Sequence, residues 1–193
     1  MVSAKIIQEK GTFLTFLSIF YDEDCRSFMF WSLQDSKTFV DMPMKFDNET
    51  VWRNFQQISD KTDKDQLRKF VEENFSEEGT ELEKVTPGDW KDKPEFIEKI
   101  SDDNLRNLAT EMNNVWKNLT RKISKSKDEI EARSSLIYLH HPFVVPGGRF
   151  REVYYWDSYW TIKGLLLSEM TETTKVQCDP TIMGLSELII YLL

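Results

Sequence analysis

A chain of 193 residues can form one domain with a hydrophobic core and is too short to argue for more than two domains. Hydrophobic residues make up 40% and aromatic residues 13%, which excludes global disorder despite 30% charged residues. The 33 acidic and 25 basic residues give a formal charge of −8, which repels phosphate backbones and anionic lipid headgroups, so we predict no nucleic-acid partner and no membrane association.

The N-terminal segment lacks a convincing signal peptide. Its apolar run TFLTFLSIF, Thr12 to Phe20, is short, and the acidic DED that follows contains no small-residue cleavage site. An ordinary buried helix or strand is the better interpretation, and no window of the sequence is apolar for the length of a membrane span. Sequons at Asn48, Asn74 and Asn118 nevertheless favour secretion.

Metal and disulfide chemistry find little support in the composition. Cys25 and Cys178 are too few for a disulfide scaffold or a four-cysteine metal site, and we interpret both as plain buried thiols. His140 and His141 are neighbours in sequence, so they point in different directions and make no metal-binding pair. We therefore predict no metal and no cofactor.

Two elements are predicted before residue 79. The segment from Asp35 to Phe46 contains Pro43 and has mixed polarity, which favours irregular or extended chain over a core. Between Val51 and Phe75 apolar residues recur at helical spacing, and Asp63 or Asp65 can cap the start of that helix.

The clearest predicted helix follows a loop from Gly79 to Lys93. Ser101 is its predicted N-cap, and acidic residues occupy its first turn. Apolar residues then recur every three or four positions and form one stripe: Leu105, Leu108, Met112, Val115, Trp116, Leu119 and Ile123. We expect this stripe to be core and assign it no ligand role.

Three elements are predicted after this helix. The stretch from Ser135 to Leu139 is a short strand or an extended segment. A helix is predicted from Asp157 to about Met170, and another after Asp179-Pro180. The chain then ends in the apolar run LIIYLL, which has no polar cap and no glycine stop, as expected for an interrupted chain.

The stretch HPFVVPGGRFREVYYWDSYW, His141 to Trp160, combines glycines, arginines, carboxylates and aromatic rings. Its rings cannot all lie on one face of a helix or strand, so some must point away from the core. Aromatic rings beside guanidinium and carboxylate groups suit sugars, whose C–H faces stack on the rings while the polar groups bond the hydroxyls. A structural aromatic cluster closed by an ion pair is the alternative, just as Pro146-Gly147-Gly148 is consistent with a simple turn. The spacing of Glu152 and Asp157 does not identify them as the two carboxylates of a glycosidase.

The segment PGGRFREVYYWDSYW, Pro146 to Trp160, resembles the first signature of the trehalases, the glycoside hydrolases of family 37. DSKTFVDMPMKF and the run from NNVWKNLTRKI to SSLIYLHHPFVVPGG are similar to further segments of that family in the same order, so the resemblance covers about Leu33 to Lys175. It implies an all-α fold, namely part of an (α/α)₆ toroid, an incomplete six-hairpin barrel with extended N-terminal segments. It also implies hydrolysis of α,α-trehalose to two glucose molecules with inversion.

Site residues follow from the resemblance position by position. Arg149, Trp156 and Asp157 match residues that contact the sugar in the family, with Phe150 and Tyr154 nearby as wall. Asp157 is then a hydroxyl acceptor and Glu152 a supporting residue. No residue of this chain is assigned as the acid or the base.

The resemblance also sets predicted boundaries. Residues 1–30 diverge from the family, residues 31–175 correspond to the N-terminal part of the catalytic domain, and residues 176–193 form a divergent tail. Because the family's general acid and general base are not found in it, we expect this chain to be inactive. The alternatives are a non-catalytic sugar-binding or interaction protein and a fragment produced by an erroneous gene model. The family resemblance implies a secreted or extracellular location.

Overall fold

The computed structural model describes residues 36–178. Residues 1–30, the apolar N-terminal run, Cys25, the helix predicted after Asp179-Pro180 and most of the predicted tail lie outside the described residues. The helices are α1 (Ser36–Val40), α2 (Asn48–Gln56), α3 (Lys64–Asn74), α4 (Glu95–Glu98), α5 (Asp103–Leu119), α6 (Lys127–Arg133), α7 (Tyr155–Leu167) and α8 (Thr171–Gln177). The strands are β1 (Leu82–Lys84), β2 (Thr120–Ile123) and β3 (Phe143–Val144).

The described residues fall into two compact units, one holding 36–81 and 125–138 and the other holding 82–124 and 139–178. Helices hold about half of these residues, so the described part of the chain is mainly helical, in agreement with the predicted all-α class. The three short strands were not predicted. They form one antiparallel sheet in the order β1-β2-β3 within the second unit.

The core of the first unit lies between α2 and α3. Asp47 and Asp63 cap the two helices by accepting hydrogen bonds from backbone N–H groups of the first turn. The apolar faces then bury a phenylalanine-rich cluster: Phe39, Met44, Val51, Phe55, Leu67, Phe70, Val71 and Phe75. The helix predicted between Val51 and Phe75 is thus two helices, and Asp63 rather than Asp65 caps the second.

A buried carboxyl group connects two segments of the first unit. Ser134, just after α6, donates a hydrogen bond of 2.5 Å from its Oγ to Oε1 of Glu81. Burial raises the pKa of Glu81, and the Ser134 hydroxyl partly opposes this shift. The protonated form of Glu81 is therefore favoured by folding.

In the second unit, β2 continues directly from α5 and pairs with both other strands. Its residues Thr120 and Ile123 face Val144 and Leu82 across the sheet. The adjoining core contains Val144, Leu165 and Met170, with Trp90, Trp116 and Leu119 packed against it. This core joins α5, the sheet and α7.

Four expectations from the sequence are wrong in detail. The longest helix is capped by Asp102, not Ser101, because the Asp102 side chain accepts from the Leu105 N–H at 2.9 Å. It ends at Leu119, because the next four residues pair in the sheet. Its apolar stripe is not wholly core: Leu105, Leu108, Met112 and Val115 are exposed. Asp35 to Phe46 also contains the short helix α1.

Helix α7 ends in a Schellman motif. The N–H of Met170 bonds the carbonyl of Leu165 at 2.9 Å, and the N–H of Glu169 bonds that of Leu166 at 3.1 Å. Glu169 adopts a φ of 59°, the left-handed conformation that this motif requires. Its carboxylate is held by Lys91 and by the backbone N–H of Glu95, so α4 and the end of α7 are joined.

Candidate functional site

The turn that follows β3 places Arg149 at its tip. Gly147 and Phe150 exchange two backbone hydrogen bonds, of 3.2 and 3.1 Å, so Gly148 and Arg149 are the central residues of a two-residue hairpin turn. Gly148 has a φ of 59°, which glycine adopts without strain. Gly147 has a φ of 103°, and a Cβ there would lie 2.8 Å from Cδ2 of Leu119, so the turn packs tightly on the end of α5.

Trp156 and Asp157 lie in the first turn of α7. A carboxylate in this position interacts favourably with the positive end of the helix dipole. Trp156 is 67% exposed, and its ring meets that of Trp160, one turn further on, edge to face at 5.9 Å between centroids. Asp157 is half-buried. The helix therefore offers an open indole beside a partly sheltered carboxylate.

A second group of rings belongs to the turn. Phe150 and Tyr154 meet edge to face with centroids 5.6 Å apart, and Cζ of Arg149 lies 5.2 Å from the centroid of Phe150. Arg149 and Phe150 are exposed, whereas Tyr154 is half-buried. The structure thus brings three of the five predicted residues into one chain of contacts and places the other two on the helix that follows.

The exposure of these rings bears on the two interpretations of the motif. A purely structural aromatic cluster would bury its rings in a core, as the phenylalanines of the first unit are buried. Phe150, Trp156 and Trp160 are exposed instead. The substrate-binding role of Phe150 and Trp156 stays a prediction, and none of these three rings is core within the described residues.

An arginine on β2 lies near Arg151, which follows the turn. Arg121, on β2, is paired with Phe143 and donates hydrogen bonds from one guanidinium nitrogen to the carbonyls of Asn118 and Thr120 at 2.7 and 3.0 Å. Burial and the neighbouring Arg151 guanidinium lower the pKa of Arg121. Sequence reasoning missed Arg121, because only the sheet brings it near the turn.

A buried polar network underlies the site and was also missed. Gln177, on α8, accepts a hydrogen bond from the Val144 N–H and donates to the Val144 carbonyl, both at 3.1 Å. It also donates to Oγ of Ser158 at 3.0 Å. All three residues are almost fully buried. No local sequence signal relates Gln177 to positions 33 and 19 residues away.

The remaining candidate groups are the two histidines and Cys178. His140 and His141 are exposed, and Cys178 is half-buried, where burial raises the pKa of its thiol. Between residues 36 and 178, no cluster of three or more histidine, cysteine or acidic side chains is placed to hold a metal ion. None of the helices in this range is long and apolar enough to cross a membrane. A cleft of about 520 Å³ in the first unit is lined by α2 and α3 and contains none of the five predicted residues.

Comparison with known proteins gives one consistent result. The family model described as Trehalase matches residues 32–183. Trehalase of Oryctolagus cuniculus is 50% identical over 145 residues, which is 73% of this chain and 25% of the relative. Trehalase of Homo sapiens is 49% identical over 146 residues, 74% of this chain and 25% of the relative. Trehalase of Apis mellifera is 44% identical over 164 residues, 80% of this chain and 26% of the relative. The chain thus spans about a quarter of the length of the curated relatives that it matches.

Proposed function

Because this chain belongs to the trehalase family, we propose that it supplies part of the site at which α,α-trehalose is bound and hydrolysed to two glucose molecules. Helices α5 and α7, which touch through Trp116 and Gly164, would then belong to a partial (α/α)₆ toroid. The remaining helix pairs would come from the rest of a full-length trehalase.

The observation that carries the proposal is the exposed indole of Trp156 directly before the half-buried carboxylate of Asp157. An indole presents a flat apolar face on which the C–H face of a glucose ring can stack. An ionised carboxylate accepts hydrogen bonds from hydroxyls, and a guanidinium such as that of Arg149 donates them in a fixed planar geometry. Phe150 and Tyr154 add apolar wall beside Arg149.

The proposal gives these residues a binding role and no part in bond cleavage. Inverting hydrolysis needs one carboxylic acid to protonate the leaving oxygen and one carboxylate to activate water, about 6.5–9.5 Å apart. We assign neither role to Asp157, which binds a hydroxyl, nor to Glu152, which supports the binding residues. We expect the acid and the base in the part of a trehalase outside the match, so this chain alone should release no glucose.

Trehalose binding by the 193-residue chain tests the proposal. Isothermal titration with trehalose should give saturable binding, and Trp156→Ala should weaken it about tenfold through the lost stacking surface. Arg149→Lys should also weaken binding, since the ammonium lacks the planar fork. The matched control is Phe46→Ala, because Phe46 is another exposed aromatic residue but lies in the first unit.

Each outcome of that titration has a definite meaning. Loss of binding in Trp156→Ala with retention in Phe46→Ala supports the proposed site. A folded chain that takes up no trehalose refutes it. Glucose release by the wild-type chain would contradict the expectation that the acid and the base lie outside it.

Secretion forms part of the same proposal. Two of the sequons differ in whether the asparagine side chain is exposed in the folded chain. Asn118 is exposed near the end of α5. Asn74 is almost fully buried, where its amide donates to the Phe70 carbonyl and accepts from the Asn54 amide. We expect a secreted product to carry a glycan at Asn118 and none at Asn74. Asn118→Gln should lower by one glycan the mass that enzymatic deglycosylation removes from the secreted chain.

A further inference from the structure

The five predicted site residues lie on two short segments, between which the ring contact of Phe150 with Tyr154 is local. Arg149 and Phe150 follow β3 through the glycine turn, while Trp156 and Asp157 belong to the first turn of α7. The N-cap of α7, Tyr154, makes no capping bond with its side chain. An uncapped first turn tends to fray, because its backbone N–H groups lack partners.

Gln177 bonds to the base of both segments. Its side-chain amide accepts a hydrogen bond from the backbone N–H of Val144, the last residue of β3, and donates one to the Val144 carbonyl. Its Nε2 also donates to Oγ of Ser158, which directly follows Asp157. An amide group is planar and rigid, so Val144 and Ser158 are held at fixed positions around one small group. The Ser158 N–H closes the first hydrogen bond of α7, to the Tyr154 carbonyl at 2.8 Å.

Burial makes this arrangement costly to disturb. Gln177, Val144 and Ser158 are each 1% exposed, so water cannot replace a lost partner without a cavity or a local opening. Helix α8 is itself held in place, because Asp89 accepts hydrogen bonds from the N–H and the hydroxyl of Thr173. The network therefore connects a fixed helix to the two segments that carry the site.

We propose that Gln177 is a positioning residue, which sets the distance between the Arg149 turn and the Trp156-Asp157 turn for sugar binding. This inference rests on the proposed function for its sugar, and on geometry alone for the positioning. Gln177 touches no substrate in this proposal and acts only through Val144 and Ser158.

The test compares Gln177→Met with Thr174→Val in the 193-residue chain. Methionine keeps the length of the side chain but removes all three hydrogen bonds. Thr174→Val removes another buried polar group of α8, whose hydroxyl bonds only the Met170 carbonyl, within the connection leading into the same helix. Both variants lose buried hydrogen bonding, but only the first releases the two site segments.

Three readouts separate positioning from general destabilisation: trehalose affinity by titration, the ¹⁹F resonance of 5-fluorotryptophan at position 156, and the amide resonances of Gly147 and Gly148. Trp156→Phe assigns the fluorine signal. We expect Gln177→Met to weaken trehalose binding about tenfold and to shift both sets of resonances. Thr174→Val should leave affinity and resonances as in the wild type.

Unchanged affinity and resonances in Gln177→Met would overturn the inference, as would equal changes in Thr174→Val. If Gln177→Met does not fold, Ser158→Ala removes only the bond to α7. It should shift the Trp156 signal and leave the glycine amides in place, and a Trp156 signal that does not move would overturn the inference. If the wild type binds no trehalose, the proposed function fails, and the resonances of the variants still decide whether Gln177 positions the two segments.

Discussion

Replacing Gly164 with alanine is expected to destabilise the second unit, although alanine is the better helix former. Gly164 lies inside α7, where Gly→Ala ordinarily stabilises a helix by about 1 kcal/mol. Here, however, a Cβ would lie 2.7 Å from Cζ2 and 3.0 Å from Cη2 of Trp116. The indole is not free to retreat, because its Nε1–H donates to Oγ of Ser168 at 2.9 Å and Ser168 is buried.

The magnitude follows from three contributions. Overpacking a filled core costs about 1–3 kcal/mol. Moving the indole away from Ser168 adds about 1 kcal/mol for the weakened hydrogen bond. The gain in helix propensity offsets about 1 kcal/mol of this total. We therefore expect Gly164→Ala to lower the free energy of unfolding by about 1–3 kcal/mol, measured by urea denaturation followed by circular dichroism.

A double-mutant cycle with Trp116→Phe identifies the cause. Phenylalanine lacks the outer indole ring that holds Cζ2 and Cη2, so in that background Gly164→Ala should cost less by at least about 1 kcal/mol. Gly88→Ala is the control, because a Cβ at Gly88 meets no atom within 4 Å. Stabilisation by Gly164→Ala, or equal cost in both backgrounds, would refute the reasoning.

Three further predictions concern single side chains. Glu81→Gln should flatten the dependence of the free energy of unfolding on pH. Burial raises the pKa of Glu81 above its ordinary value of 4.5, so the wild type loses stability as the pH rises through the raised pKa. The variant has no carboxyl group at this position and should not show this loss. Urea denaturation between pH 4 and pH 8 measures this, and parallel curves would contradict it. Ser126→Ala should cost about 1 kcal/mol in the same assay at neutral pH, because it removes the capping box of α6, and an unchanged midpoint would count against that cap. Met112→Lys should change stability by no more than about 0.5 kcal/mol, since Met112 is exposed, and a larger loss would indicate that the side chain is buried in solution.

Local patterns were sufficient to predict the main helices. Helix α3 was predicted because Leu67, Phe70 and Val71 recur at helical spacing after the capping Asp63, and both signals act within a few residues. The end of α5 was missed because Ile123 continues the apolar spacing of that helix. Pairing of β2 with two other strands outweighs this local preference, and strands of two to four residues are too short to show a period of their own.

The sequence indicated the residues proposed for the site, but not the buried groups that the structure places beneath them. Two glycines after Pro146 indicate a turn, and six aromatic residues within eleven positions, 150–160, exceed what one buried face can hold. The sequence contains no such signal for Gln177, because its hydrogen-bond partners are distant in sequence and only the tertiary structure brings them together. The same holds for Arg121, which the pairing of β2 with β3 brings behind the turn.

The apolar stripe of α5 shows where periodicity and burial disagree. Near its end the prediction of core packing holds, because Trp116 and Leu119 lie against Gly164 and Gly147, which have no side chains to keep them apart. Further toward its N-terminus Leu105, Leu108 and Met112 are 58%, 58% and 63% exposed. Periodicity specifies which side of a helix is apolar, whereas burial also needs an element opposite that side. Within residues 36–178, the stripe is covered where glycines of neighbouring segments let the backbone come close to α5. The apolar spacing therefore predicts that this segment is helical, but it predicts the burial of only part of its apolar side.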